Sequence, residues 1–346
     1  MHGGDIYSNK VEHDFSVNIS PGPMPQFVRE ALVAAIDKAG TYPDILNQDI
    51  REKTGRIFNI DSQKIVYGNG ASEIIMGLIN GLRPDRVMVT APCFTGYENA
   101  INAGLDHCQI SYYDLDEKND FALDAGILDE IKKVRPELVI LTNPNNPNGR
   151  LVDFDLLKEI VGLCRKLSIY LLIDECFLPL SRGWDKSFAG SIKEEDKIII
   201  LRAFTKSFGV PGVRIGYGLC SNADLCQLIR NHLPEWNISV FASGVADACL
   251  DNLDYVKEQR EIIDREREFL SNELKKEGIK AYISDANYIL FYTDDLNLKE
   301  KLLKDKILIR DCSDIRGLHR GFYRIAVRGH QENIALVSAL KKAIGH

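Results

Sequence analysis

Lys206 stands in FTKSFGVPGVR (204–214), just past the apolar run KIIILRAF, and Gly209, Pro211 and Gly212 shape the loop ahead of Arg214. A lysine desolvated there, with a cation nearby, could give up its proton readily enough to form a Schiff base. Arg214 offers a planar fork for a phosphate. Asp174 ends a second apolar run, in LLIDECF (171–177). A carboxylate so placed stays charged only beside a cation or hydrogen-bond donors; an arginine would serve, and so would a ligand cation. The loop NPNNPNGR (143–150) is a turn whose asparagines can satisfy the backbone, and it also holds Asn146 rigidly between two prolines as a fixed donor. GNGASE (68–73) puts small residues ahead of a helix that starts near Ser72. Free N–H groups and the helix dipole suit a phosphate there, while a plain turn capped by Ser72 or its neighbour fits the same residues. Glu73 occupies the place of a third glycine, so the dinucleotide fingerprint GxGxxG fails.

These four segments need a scaffold that brings them together. Strands are expected at 64–68, 86–92, 109–115, 138–144, 168–175, 197–204 and 215–220, separated by amphipathic stretches such as DFDLLKEIVGLCRKL. That alternation predicts an α/β domain with a seven-stranded, mostly parallel sheet and helices on both faces. Sites in such sheets gather beyond the carboxyl ends of the strands, where all four segments lie. From Val240 to about Gly278 the pattern is long and helical, its charges a solvated face. Strand candidates at 287–292, 307–311 and 323–328, with a final helix, complete a smaller α+β domain.

With 346 residues, 45% hydrophobic and 27% charged, the chain reads as an ordinary globular protein with room for two lobes. A net charge of −7 argues against a general nucleic-acid partner, which would need a basic face. No secretory apolar segment and no run approaching a bilayer span is present, so a cytoplasmic protein without a membrane partner is expected. Eight scattered cysteines without a CxxC pair read as buried reduced thiols, with no metal site.

NPNNPNG, then DE, then TKSFGVPGVRIGY, at intervals of about thirty residues, resemble the fold-type I pyridoxal-phosphate enzymes of the aspartate aminotransferase superfamily. The resemblance covers essentially the whole chain. It implies an N-terminal arm with part of the small domain over 1–35, a large cofactor-binding domain over 36–235 and a small domain over 236–346. It also implies that Lys206 bonds the cofactor aldehyde, Asp174 the pyridinium nitrogen and Asn146 the ring hydroxyl. Ala71, Ser72, Thr205 and Arg214 would cradle the cofactor phosphate, and Phe94 of APCFTGY would stack on the ring. A homodimer with shared sites is implied, Tyr42 of TYPD reaching the neighbouring phosphate.

Arg324 of YRIAVR matches the family's carboxylate-binding arginine; Asn18, Arg310 and His2 complete the expected substrate pocket. Two departures stand out. Ala203 replaces the usual serine three residues before the lysine, and Phe177 replaces a tyrosine whose phenol bonds the ring oxygen. Glu175 is expected to be structural, with backbone or arginine partners. MHGGDIY, DFSVNISPGPMP, DECF and VRGHQEN together resemble the branch that decarboxylates L-threonine O-3-phosphate, with amino transfer of the histidinol-phosphate type as the alternative.

Overall fold

The computed structural model describes residues 3–344. Its strands, in chain order, are β1 (His13–Asp14), β2 (Ile65–Gly68), β3 (Arg86–Ala91), β4 (Gln109–Asp114), β5 (Leu138–Thr142), β6 (Tyr170–Asp174), β7 (Ile198–Ala203), β8 (Gly216–Cys220), β9 (Lys280–Ala281), β10 (Tyr288–Tyr292), β11 (Ile307–Leu308), β12 (Arg310–Asp311) and β13 (Phe322–Ala326). Seven of them form one sheet in the order β2-β8-β7-β6-β5-β3-β4. Only β8 runs against its neighbours, β7 and β2. Two reversals restore β2 to the direction of β5, β6 and β7, so their carboxyl ends meet along one edge.

The central strands are apolar until their carboxyl ends, where Thr142, Asp174 and Arg202 stand, because both faces are covered. Period-two alternation divides them between two cores: Val139, Leu141, Leu171, Ile173, Ile198 and Ile200 pack on one side. Leu138, Ile140, Leu172, Ile199 and Leu201 pack on the other.

A four-stranded antiparallel sheet has the order β12-β13-β10-β9, and β1 pairs in parallel with β11. The expected single strand at 307–311 is therefore shared between two sheets. Its first half bonds the N-terminal arm and its second half bonds β13. The long helical stretch is likewise two helices, Val240–Asp251 and Asp254–Lys276. Asn252 stands at the break, its side-chain amide donating to the Ala248 carbonyl at 2.8 Å and so ending the first helix. All eight cysteines are unpaired. Among the described residues no helix is long and apolar enough to cross a membrane.

Candidate active site

The two adjacent carboxylates after β6 have different surroundings. Glu175 is fully buried; its Oε2 accepts from Arg202 Nη2 at 2.7 Å and Nε at 3.0 Å, and from the Ser187 hydroxyl at 2.7 Å. Its Oε1 accepts the Phe188 N–H at 3.0 Å. The arginine thus belongs to Glu175, as the structural reading of that residue expects. Among the described residues Asp174 meets neutral donors: the Tyr97 hydroxyl at 2.8 Å on Oδ2, the Cys176 N–H at 2.9 Å on Oδ1, and the Cys176 thiol. Each oxygen retains acceptor capacity for a ligand cation. Tyr97 was absent from the sequence-based set, although it lies three residues past Phe94 in APCFTGY. Burial, then the negative charge of Asp174, push its phenol pKa well above the ordinary value, keeping it a donor.

Lys206 follows β7 in the single helical turn Phe204–Ser207. Part of its surface remains open to the cleft, yet protein rings it closely enough that desolvation lowers its pKa. Arg214 and Arg324 act in the same direction, against Cys176 and Asp174. Its ammonium nitrogen lies 5.8 Å from the centroid of the Phe177 ring, which packs edge-on against Tyr288. The Tyr288 hydroxyl is committed to the Asn145 carbonyl at 2.9 Å, so it does not replace the phenol missing at Phe177.

The glycine turn after β2 and the loop after β7 converge. The helix Ala71–Leu82 begins next to Ser72, as expected, but its N-cap is Gly70, which has φ +78° and offers no side-chain cap. A β-carbon on Gly70 would lie 2.5 Å from Nη2 at the movable end of Arg214, so it is the dihedral that calls for glycine here. Arg214 is exposed, and no ion pair holds it among the described residues. A guanidinium beside uncapped helical N–H groups, with the Ser72 hydroxyl exposed and Thr205 buried nearby in sequence to Lys206, suits a phosphate. Glu73, which breaks the fingerprint, accepts from the Asn69 N–H and the Asn237 side chain, each at 2.7 Å, and so braces the turn.

Three of the four asparagines after β5 serve the backbone. The Asn143 Oδ1 accepts the Val152 N–H at 3.0 Å, and the amides of Asn145 and Asn148 donate to the carbonyls of Pro92 at 2.9 Å and Phe121 at 2.8 Å. Asn146 instead accepts from Arg324 Nη1 through its oxygen, which leaves its NH2 group for a ligand. Arg324 Nη2 donates to the Ser16 carbonyl at 2.9 Å, and among the described residues its buried Nε has no partner. Across the β12–β13 ladder Arg310 is paired directly with Arg324, placing both side chains on one face. Arg310 Nη2 bonds Asp314 at 2.8 Å. Asn18 is buried with an unpartnered Oδ1.

Phe94 is half-buried, with its ring edge-on to Tyr97. Tyr42 is not brought into the cleft by its own chain; it is 80% exposed and packs against Trp236. His2 lies outside the described residues.

The sequence profile of the family "aminotransferase class I and II" matches residues 11–340. The chain belongs to this family. It is similar to the threonine-phosphate decarboxylase of Salmonella typhimurium, 30% identical over 96% of this chain and 91% of that one. It is also similar to histidinol-phosphate aminotransferase 2 of Archaeoglobus fulgidus, 32% identical over 97% of this chain and 94% of that one. The crystal structure of the histidinol-phosphate aminotransferase from Clostridium acetobutylicum superposes with a TM-score of 0.89 at 30% identity, covering 96% of this chain and 99% of that one. The fold is that of the pyridoxal-phosphate aminotransferases, and pyridoxal 5'-phosphate is the cofactor. The site fits this group: Gly70 leaves a cradle beside Arg214, Asp174 has spare acceptor capacity, and Lys206 carries a lowered pKa.

Proposed function

We propose that the protein decarboxylates L-threonine O-3-phosphate to (R)-1-amino-2-propanol phosphate and CO2. The observation that carries this reading is the pair of buried arginines facing each other across β12 and β13. A small substrate bearing both a carboxylate and a phosphate offers two anions to two neighbouring guanidiniums. Histidinol phosphate bears a phosphate but no carboxylate. The Salmonella relative supports the same choice.

In this reading Lys206 would bind the cofactor aldehyde carbon, Asp174 the ring nitrogen and Asn146 the ring hydroxyl. Phe94 would cover the ring face. Ala71, Ser72, Thr205 and Arg214 would hold the phosphate, without the hydroxyl that Ala203 lacks. Tyr42, with its exposed ring, would reach the same phosphate in a second copy of the chain, making a homodimer with shared sites. Bound, the cofactor supplies an electron sink for the pair released when a bond at the substrate Cα breaks.

The chain's own residues decide which bond that is. Arg324 and Arg310, with Asn18 beside them, would hold the carboxylate and the phosphate between them and so fix which Cα bond is presented for cleavage. With the substrate amine in its place, Lys206 would be free as an ammonium, and as the Cα–carboxylate bond breaks and CO2 leaves it would give a proton to Cα where the carboxylate had been. A lysine with a lowered pKa suits that transfer at neutral pH. Mass-spectrometric product analysis with cofactor-loaded protein and L-threonine O-3-phosphate, without any 2-oxo acid, tests the proposal. Catalytic formation of aminopropanol phosphate is expected. No turnover there, with amino transfer from histidinol phosphate to 2-oxoglutarate in a parallel reaction, would overturn it.

A further inference from the structure

Ser16 joins three parts of the molecule at the candidate substrate arginine. It is 1% exposed, and its carbonyl accepts Arg324 Nη2 at 2.9 Å. Its hydroxyl donates to Asp14 Oδ1 at 2.6 Å and its N–H to the same oxygen at 2.8 Å, which fixes the peptide's orientation. The hydroxyl also accepts the Gly4 N–H at 2.7 Å. Gly3 passes so close that a β-carbon there would overlap the Ser16 carbonyl oxygen, the same atom that holds Arg324. Gly4 follows with φ +87°, a conformation open to glycine and strained for other residues. The two glycines therefore lay the chain directly over one hydrogen bond.

We infer that Gly3, Gly4 and Ser16 form a strap that positions Arg324. With Nη1 held by Asn146 and Nη2 by Ser16, the guanidinium is fixed at two corners and presents its unpartnered Nε edge. The strap excludes water from the Ser16 carbonyl, so the charge-assisted bond forms where competition from solvent is weakest. Gly3 and Gly4 act through Arg324 and do not themselves touch the reacting atoms. The inference rests on the reading of Arg324 as the anchor of an anionic substrate group.

The test compares the cofactor-loaded wild type with Gly3→Ala and Ser16→Ala. KM is measured for whichever compound turns over, L-threonine O-3-phosphate or histidinol phosphate, so that a wrong substrate assignment shows in the identity of that compound. In Gly3→Ala, KM should rise about tenfold, as expected for a weakened hydrogen bond to a charged group, while kcat falls less. The absorption of bound cofactor should not change, because Asn146 keeps its own bond to Arg324 Nη1 when the Ser16 bond weakens. Trypsin cleavage after the exposed Lys10 should accelerate in Gly3→Ala. Because coupling is reciprocal, cleavage should also accelerate in Arg324→Gln. Ser16→Ala should shift KM in the same direction, and Gly162→Ala, whose β-carbon meets open space, should leave both readouts unchanged. An unaltered KM in Gly3→Ala despite faster cleavage, or a cleavage rate insensitive to Arg324→Gln, would overturn the strap.

Discussion

Asp174, Lys206 and Arg214 lie on loops of the large sheet and take their contacts from elements around that same sheet, Asp174 from Tyr97 77 positions away, whereas Arg324 on the small sheet is held by residues from outside it. Cys176 and Pro211 secure Asp174 and Arg214 from two and three positions away. Arg324 draws on Asn146, 178 positions away, and on Ser16, 308 positions away. The cofactor half of the cleft is thus a set of strand-end turns on a rigid sheet. The proposed substrate half comes together only once the small sheet and the segment around Ser16 have packed. A scaffold divided in this way can keep its cofactor geometry while substrate and reaction change.

The strongest way to break the cofactor half is Lys206→Ala. It should lower turnover on the order of 10^3-fold or more and abolish the visible absorption of bound cofactor in a spectrophotometric titration. Glu175→Ala strikes the frame beneath both halves by leaving Arg202 buried without its carboxylate. Urea unfolding should show a loss of about 3–5 kcal/mol, as for other broken buried pairs. A mutant of wild-type stability would mean that Glu175 is not the brace described here.

Arg324→Gln separates the halves. It should reduce kcat/KM about 100-fold while the cofactor stays bound. It also removes one of the cations that lower the Lys206 pKa, so that pKa should rise. The deprotonated amine then becomes available only at higher pH, and the pH at which cofactor capture is half-maximal should move upward. A downward movement would contradict the assigned electrostatics. The smallest effect is expected from Phe177→Tyr, at the boundary between the halves. The new phenol should change kcat by no more than about threefold, because Asn146 keeps an NH2 group for the ring oxygen. A change from decarboxylation to amino transfer would make Phe177 a determinant of reaction choice.

The same division explains what could be read from sequence. Lys206, Asp174 and the asparagine loop sit in short motifs at the ends of strands whose apolar runs are unmistakable, so their convergence follows from α/β topology. Tyr97 escaped because its only signal is its spacing from Phe94, and its partnership with Asp174 depends on the packing of the helix Gly96–Gly104. Arg310 and Arg324 could be named as candidates, but their register could not, because ILIRD gives no sign that it divides between two sheets. Ser16 meets Arg324 through its backbone carbonyl, and a lone serine in DFSVN gives no sign of the Asp14 and Gly4 bonds that orient that carbonyl. The N-cap fell on Gly70, not on Ser72, because the turn takes a positive φ there that glycine adopts without strain.

The most direct test of the central claim is turnover of L-threonine O-3-phosphate, labelled with carbon-13 in its carboxylate, by the cofactor-loaded protein in deuterated water. The account predicts one labelled CO2 released for each aminopropanol phosphate formed, with one solvent deuterium at the former Cα. Label retained in a 2-oxo acid, with the cofactor left in its amine form, would contradict it.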